Sequence, residues 1–261
     1  MFPILFQTSF FTLHTYGLFA ALGLWVGLQI LISLYRQSPE YQFQFEENLQ
    51  SLFLYVIVSG ILGARILYVI TFWNSFSEEW IEIFKIWNGG LVFYGGFIGG
   101  FLGFYIGYRK NNQISFLKIL DWSAPALAWG HAIGRLGCFA AGCCYGKPTE
   151  KFLGLIFTHA KTLAPIGLSV HPTQLYEFVF LVILGKFLIK KTKRKKYQFY
   201  PDGFIFLDYL TFYSCGRFLI EFFRADDPIF LFLTPGQFMS GIVFISALFC
   251  RFYWMRAQAK K

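Results

Sequence analysis

The sequence predicts an all-α membrane protein, in which one domain covering residues 1–261 forms a bundle of about seven transmembrane helices. Hydrophobic residues make up 56% of the chain and aromatic residues 22%, while charged residues reach only 14%, a composition unlike that of soluble domains. Apolar stretches long enough to cross a bilayer recur along the whole sequence. Most lysine and arginine residues lie between these stretches, as they do in multi-pass membrane proteins.

The predicted spans follow these apolar stretches in order. They cover residues 10–34, 49–72, 91–108, 119–134, 172–190, 203–223 and 235–254. The first span lacks a basic start and a small-residue cleavage motif, so we expect it to be retained and not removed as a signal peptide. Pro125 should kink the fourth span or mark its start.

Glycine spacing in the third span predicts close helix packing. Gly95, Gly99, Gly103 and Gly107 repeat every four residues, which places them on one face of a helix. A ridge of small residues lets a neighbouring helix approach closely, so we expect this face to serve packing.

The distribution of lysine and arginine predicts the orientation of the bundle. The larger share, including the basic cluster Lys190–Lys196, falls in segments that are cytoplasmic if the N-terminus is outside. The C-terminus is then cytoplasmic, and the segment after the fourth span becomes an extracytoplasmic arm. Because membrane orientation and anionic lipid explain the net charge of +9, we expect no nucleic-acid partner.

Polar residues concentrate in the stretch Gly130–Gly146, where His131, Arg135 and Cys138 share one helical face. An arginine inside a membrane costs several kcal/mol and normally faces the bundle interior or a wet cavity. Planar guanidinium groups suit bidentate binding of phosphate, so the sequence predicts a site for a phospholipid head group in the outer leaflet. Further polar residues near the predicted outer surface are His14, Tyr16, Arg65, Tyr94, His171, Gln174, Tyr176, Glu177, Arg217, Glu221 and Arg224.

Two of these residues also have structural interpretations. Glu221 could be the counter-ion of Arg217, since the two are four residues apart on one helix. Arg224 could snorkel to the membrane surface.

Seven short motifs resemble the prolipoprotein diacylglyceryl transferase family, in order and over nearly the whole chain. They are H-T-Y-G at His14–Gly17, G-A-R at Gly63–Arg65, G-G-L-V-F-Y-G-G at Gly89–Gly96, G-R-L-G at Gly134–Gly137, H-P-T-Q-L-Y-E at residues 171–177, R-F-L-I-E-F-F-R at Arg217–Arg224 and G-Q at Gly236–Gln237. The resemblance implies transfer of the diacylglyceryl group of phosphatidylglycerol to the lipobox cysteine thiol of a prolipoprotein signal peptide, with release of glycerol-1-phosphate. It further implies a multi-pass protein of the bacterial inner membrane, acting in the outer leaflet.

The resemblance also assigns roles to residues of this chain. It implies catalytic roles for Arg135 and Arg217, and for Tyr94, which stands where the family commonly has His. We further expect substrate binding by Tyr16, Arg65, Gly95, Gly96, Gly134, Gly137, Cys138, Cys143, His171, Gln174, Tyr176, Glu177, Glu221 and Arg224. No cofactor or metal is expected, because no nucleotide or standard metal motif is present.

Two departures from the family concern the general base. A tyrosine phenol, with a pKa near ~10, is a poor base at neutral pH. Cys138 and Cys143 stand where the family commonly has Asn and Glu. His131, one turn before Arg135, is the expected replacement base, since an imidazole with an ordinary pKa of ~6.5 is mostly neutral at pH 7.

Two other functions are compatible with the residues. A thiol-based or metal-dependent membrane enzyme could use His131, Cys138, Cys143 and Cys144, although adjacent cysteines are awkward ligands for one tetrahedral ion. A non-catalytic phospholipid-binding paralogue or transporter would keep the arginines and lose the base.

Overall fold

The computed structural model of the chain describes residues 2–8, 12–76, 79–85, 89–110, 114–194, 200–228 and 232–258. Within these residues it has seven α-helices: α1 Thr15–Arg36, α2 Phe43–Thr71, α3 Phe93–Lys110, α4 Phe116–Ala141, α5 Thr173–Thr192, α6 Phe204–Glu221 and α7 Pro235–Gln258. Four short strands, which the sequence did not predict, form two two-stranded sheets: β1 Ile4–Gln7 with β2 Thr12–His14, and β3 Leu155–Ile156 with β4 Ser169–Val170.

Each helix overlaps one predicted span, which confirms a helical fold. The helices α1, α2 and α7 are long and apolar enough to cross a membrane, whereas the seven-span count and the orientation stay predictions. The helix α4 extends beyond the predicted fourth span at both ends and continues through Arg135 and Cys138 to Ala141. Pro125 lies inside α4 and therefore does not mark its start.

The chain divides into two compact units, residues 1–7, 13–34 and 117–261, and residues 8–12 and 35–116. The expectation of a single domain stays a prediction. The predicted basic cluster is described up to Arg194, and its last two lysines lie outside the described residues.

In the second unit, α2 and α3 pack through glycines, which confirms the predicted packing ridge. A Cβ atom on Gly99 would overlap the carbonyl of Ser59, and one on Gly95 would overlap the carbonyl of Gly63. The helix backbones therefore approach more closely than any side chain would allow.

Arg65 of α2 is buried in the same unit and surrounded by carbonyl oxygens. Its Nε donates to Ile83 O at 2.8 Å and its Nη1 donates to Gly89 O at 2.8 Å, while Nη2 donates to Glu82 O at 2.5 Å. These bonds anchor the loop before α3 to α2. A phosphate group could bind this guanidinium group only by displacing these carbonyl oxygens. The expected contribution of Arg65 to substrate binding stays a prediction.

In the first unit, a carboxylate fixes α6 against α4. Asp121 of α4 accepts hydrogen bonds from the backbone N–H groups of Gly203 at 2.8 Å and Phe206 at 2.9 Å. These donors would otherwise be unsatisfied at the start of α6. The helix α5 joins these two helices in a core cluster of Ala124, Ala128, Leu184, Leu188, Ile205 and Tyr209.

Further along α6, a buried carboxylate is paired twice. Asp208 forms ion pairs with Lys191 of α5 and Arg251 of α7. These contacts connect the three helices near the start of α6. Arg217 and Glu221 lie near the other end of the same helix.

Candidate active site

Polar residues of the predicted fourth, fifth and sixth spans meet around the carboxylate of Glu177 in α5. The residue Glu177 is buried, with 1% of its surface exposed. Its Oε1 lies 3.0 Å from Nη2 of Arg135 in α4 and accepts a hydrogen bond from the Tyr213 hydroxyl of α6 at 3.2 Å. Its Oε2 lies 4.0 Å from Nη1 of Arg217 in α6. A buried carboxylate is costly unless it is paired, and here two guanidinium groups share one carboxylate.

His131 supports Arg135 from the preceding turn of α4, as the spacing predicted. Nε of Arg135 donates to Nε2 of His131 at 3.1 Å, and the same Nε2 lies 3.5 Å from Oε1 of Glu177. The imidazole also packs edge-on against the ring of Tyr213, with centroids 5.3 Å apart. Because the lone pair of Nε2 already accepts from Arg135, action of His131 as a general base would require this contact to break. That role stays a prediction.

A second buried carboxylate, Glu221, lies next to the first. Its Oε2 is 2.6 Å from Nη1 of Arg217 and 3.5 Å from Nε of Arg224, and the Thr234 hydroxyl donates to its Oε1 at 2.9 Å. The contact with Arg217 is an ion pair that is not aligned as a hydrogen bond. The interpretation of Glu221 as the counter-ion of Arg217 is confirmed. Gly236 leaves room for this carboxylate, which any side chain there would overlap.

Several guanidinium donors remain available at this cluster. Among the described residues, no hydrogen bond or ion pair involves Nη1 of Arg135, or Nε and Nη2 of Arg217. The two side chains are 14% and 15% exposed, so a ligand can reach them. Two arginines held by one carboxylate, with spare donors, form a site suited to an anionic oxygen ligand such as phosphate.

The segment between α4 and α5 attaches to the end of α6 beside Arg224. Gly146 N donates to His171 O at 2.8 Å, and Lys147 N donates to Phe223 O at 2.8 Å. Nδ1 of His171 lies 3.0 Å from the hydroxyl of Tyr176, and both rings pack edge-on against Phe223. The predicted substrate residues His171 and Tyr176 therefore hold this segment in place. Its predicted extracytoplasmic location stays a prediction.

Gln174 supports the loop that follows α4, and its predicted role in substrate binding stays a prediction. Its Nε2 donates to Cys143 O at 2.6 Å, and Thr173 Oγ1 donates to Cys144 O at 2.7 Å. The thiols of Cys138, Cys143 and Cys144 lie within 4.8 Å of one another. The neighbouring Cys138 and Cys143 thiols, together with the positive charges of Arg224 and Arg135, lower the pKa of the Cys144 thiol.

Two glycines flank Arg135 and differ in their surroundings. A Cβ atom on Gly137 would lie 3.0 Å from Cβ of Phe19 and 3.3 Å from Cα of Tyr16, so Gly137 lets α1 approach α4 and places Tyr16 there. A Cβ atom on Gly134 would meet no atom of the described residues within 4 Å. Protein packing therefore explains Gly137 but leaves Gly134 beside open space.

The remaining predicted residues lie in the second unit. Tyr94 is exposed near the start of α3, where Gly95 packs against Gly63 and Gly96 against Ala64. Their expected roles stay predictions.

Comparison with known proteins places this arrangement in a family context. Residues 3–253 match the family model described as prolipoprotein diacylglyceryl transferase. The chain is 34% identical to the phosphatidylglycerol–prolipoprotein diacylglyceryl transferase of Clostridium tetani, over 95% of either chain. It is also 34% identical to a second such transferase from Clostridium perfringens, over 87% of either chain. A third relative of that name, from Halalkalibacterium halodurans, is 34% identical over 96% of this chain and 85% of its own.

Proposed function

Because the chain belongs to the prolipoprotein diacylglyceryl transferase family, we propose that it transfers the diacylglyceryl group of phosphatidylglycerol to the lipobox cysteine thiol of a prolipoprotein. The relatives that span nearly all of the chain carry the name of this transferase. A non-catalytic paralogue, or a thiol- or metal-dependent enzyme of another class, is therefore not favoured. The observation that carries the proposal is the shared pairing of Arg135 and Arg217 with Glu177.

In the proposed reaction, the spare donors of Arg135 and Arg217 bind the phosphate of phosphatidylglycerol. The thiolate of the acceptor attacks the glyceryl carbon, a C–S bond forms and the C–O bond to phosphate breaks. The electron pair stays on the phosphate oxygen, and glycerol phosphate leaves. Fixed guanidinium groups stabilise the charge that develops on that oxygen, and they need no rearrangement because Glu177 already orients them.

Other residues support this arrangement. His131 positions Arg135 through its Nε2, while Glu221 holds Arg217 and Arg224. We assign the open surface beside Gly134 to the glyceryl part of the lipid. The roles of Gly95 and Gly96 in the second unit rest on the family resemblance alone, whereas those of Tyr94 and Arg65 rest also on their predicted position near the outer surface.

Gly134→Ala is expected to leave the fold intact and to reduce transfer roughly 10-fold to 100-fold, because a methyl group would displace the lipid from the arginines. Transfer rates and thermal unfolding of the purified variant measure both effects. The matched control is Gly137→Ala, which should lower stability by about 1–3 kcal/mol, since the neighbouring helix has to move. Normal transfer by Gly134→Ala would show that lipid does not occupy this surface.

We place the protein in the bacterial inner membrane, with all seven helices spanning it and the N-terminus outside. The excess of lysine and arginine in the segments assigned to the cytoplasm supports this orientation. Reporter fusions after Arg194 should show a cytoplasmic location, and fusions between residues 147 and 168 should show an extracytoplasmic one. A cytoplasmic location for the latter would contradict activity in the outer leaflet.

Complementation tests the function in cells. In a bacterium whose own transferase is repressed, expression of this chain should restore the maturation of lipoproteins, seen as a shift in gel mobility. Arg135→Ala, expressed to the same level, should not restore it. Well-expressed, membrane-inserted wild type that leaves prolipoproteins unmodified would contradict the proposal.

A further inference from the structure

Three thiols lie together at the end of α4, and the proposed phosphate site leaves them without a role. We name Cys138, Cys143 and Cys144 the thiol cluster. All three are free cysteines, and their sulfur atoms lie within 4.8 Å of one another. Sulfur ligands of one tetrahedral zinc ion, at about 2.3 Å from the metal, are about 3.8 Å apart. Small side-chain rotations would therefore bring the three sulfur atoms to ligating distance.

The backbone after α4 is shaped so that two adjacent cysteines face the same way. Successive side chains of an extended segment point to opposite sides. Cys144 instead has a left-handed conformation, with φ at 62°. For a residue with a Cβ atom this conformation costs roughly 1–3 kcal/mol and persists only where the surroundings enforce it.

Three contacts enforce this conformation. Cys143 N donates to Cys138 O at 3.1 Å, and the side chains of Gln174 and Thr173 hold the carbonyls of Cys143 and Cys144. In this loop, the thiols of the adjacent residues Cys143 and Cys144 can therefore both face one ion.

The surroundings of the thiol cluster suit a metal with an open coordination position. Cys143 and Cys144 are half-buried, so a ligand can approach. Among the described residues, no histidine or carboxylate joins the three cysteines as a fourth ligand. Three thiolates and a divalent cation carry a net charge of −1. Two positive charges complement it: Arg135 lies one turn before Cys138 on α4, and the backbone of Arg224 pairs with that of Gly146, two residues after Cys144. Catalytic zinc sites likewise have three protein ligands and one open position.

We propose that the thiol cluster binds one thiophilic divalent cation of the zinc class, and that the open position takes the cysteine thiol of the incoming prolipoprotein. This inference rests on the proposed function, because it names how that reaction obtains its nucleophile. It replaces the expectation of a metal-free site with His131 as base.

The step balances in atoms and charge. The acceptor thiol binds the cation and releases its proton to water, since a coordinating thiol is deprotonated. The bound sulfur attacks the glyceryl carbon, the C–S bond forms and the C–O bond to phosphate breaks. The phosphate monoester leaves with the electron pair, and the neutral thioether dissociates because it is a weak ligand.

The position of the thiol cluster fits this role. Cys138 lies one turn after Arg135 on α4, and Gln174, which holds the Cys143 carbonyl, lies one turn before Glu177 on α5. A sulfur bound at the cluster therefore lies close to Arg135, one of the two arginines that would hold the phosphate. Nε2 of His131 could otherwise accept the thiol proton, but it already accepts a hydrogen bond from Arg135.

Metal binding by the purified full-length chain tests the site directly. Zinc measured by elemental analysis should approach one ion per chain, and Co²⁺ added after chelation should give the sulfur-to-cobalt charge-transfer band of a thiolate site. Cys138→Ser, Cys143→Ser and Cys144→Ser should each lose the band and most of the zinc. The matched controls Cys215→Ser and Cys250→Ser, exposed cysteines outside the cluster, should retain both. Absence of zinc and of the cobalt band from wild type with reduced thiols would overturn the metal site.

Transfer measurements separate this inference from the proposed function. Removal of the metal with a chelator should lower the transfer rate roughly 100-fold or more, as expected when the step that deprotonates the nucleophile is lost. The enzyme should regain transfer with Zn²⁺ and bind phosphatidylglycerol vesicles throughout. His131→Gln should keep measurable zinc-dependent transfer. Full transfer by chelated enzyme, or by Cys143→Ser, would overturn thiol activation by the cation while leaving the transferase function intact. Metal-loaded enzyme that binds lipid but never transfers would contradict the function itself.

Discussion

Arg135→Lys is expected to reduce diacylglyceryl transfer by roughly 100-fold to 1000-fold, the cost of losing one fixed donor to a developing oxyanion. Arg135 uses one edge of its guanidinium group to contact His131 and Glu177, and keeps Nη1 for a ligand. A lysine ammonium is a point charge that cannot keep both protein contacts and also bind phosphate in a fixed geometry. Arg217→Lys should act in the same direction, since its Nη1 is likewise engaged by Glu221. Steady-state rates with phosphatidylglycerol and a lipobox peptide measure the loss.

The matched control for these variants is Arg251→Lys. Arg251 also pairs with a buried carboxylate, that of Asp208, which lies near the start of α6 and not near its end. A lysine there should preserve transfer, because only a charge is required. Full activity of both Arg135→Lys and Arg217→Lys would contradict the phosphate-binding role of the pair.

Glu177→Gln should damage both stability and activity. The carboxylate pairs with Arg135, approaches Arg217 and accepts from Tyr213, and its side chain is 2% exposed. Removing one partner of a buried ion pair costs about 3–5 kcal/mol, because the cations left behind are poorly solvated. The two guanidinium groups would repel each other and lose their orientation. We therefore expect a lower unfolding temperature in detergent, together with a large fall in transfer per folded molecule.

Glu150→Gln is the control for this change, because Glu150 is exposed in the same unit and exposed charges contribute little to stability. It should leave both quantities unchanged. If Glu177→Gln unfolded at the wild-type temperature and transferred at the wild-type rate, the shared carboxylate would have no role in the site.

Much of the site could be predicted because an arginine in apolar sequence is conspicuous. Arg135 and Arg217 were identified by the cost of placing a guanidinium group in a membrane, and helical spacing correctly placed His131 beside Arg135. Spacing within α6 likewise predicted the pair Arg217–Glu221. These inferences succeeded because they concern residues on one helix, where separation along the chain fixes separation in space.

Contacts between helices could not be predicted in this way. The sequence identified Glu177 only as one polar residue among many, whereas it joins α4, α5 and α6. Tyr213 was missed, although it lies one turn before Arg217, because a tyrosine in an aromatic-rich helix carries no signal. Arg65 was grouped with the other arginines by depth, but depth does not show that its partners are backbone carbonyls.

The shape of the loop after α4 could not be predicted either. From the sequence, adjacent cysteines argued against a shared site, whereas in the structure Cys144 has a left-handed conformation and the three thiols lie within 4.8 Å of one another. The strands β3 and β4 were missed because they contain two residues each, too few for a periodic pattern.

The most direct test of the central claim is a product analysis. Purified protein, phosphatidylglycerol and a peptide with one lipobox cysteine should yield a diacylglyceryl thioether, whose C–S bond to the peptide resists hydroxylamine. Glycerol phosphate should be released in equal amount, and the matching serine peptide should remain unmodified. An unchanged cysteine peptide, or a hydroxylamine-labile thioester formed by transfer of a fatty acyl chain instead, would contradict the proposed function.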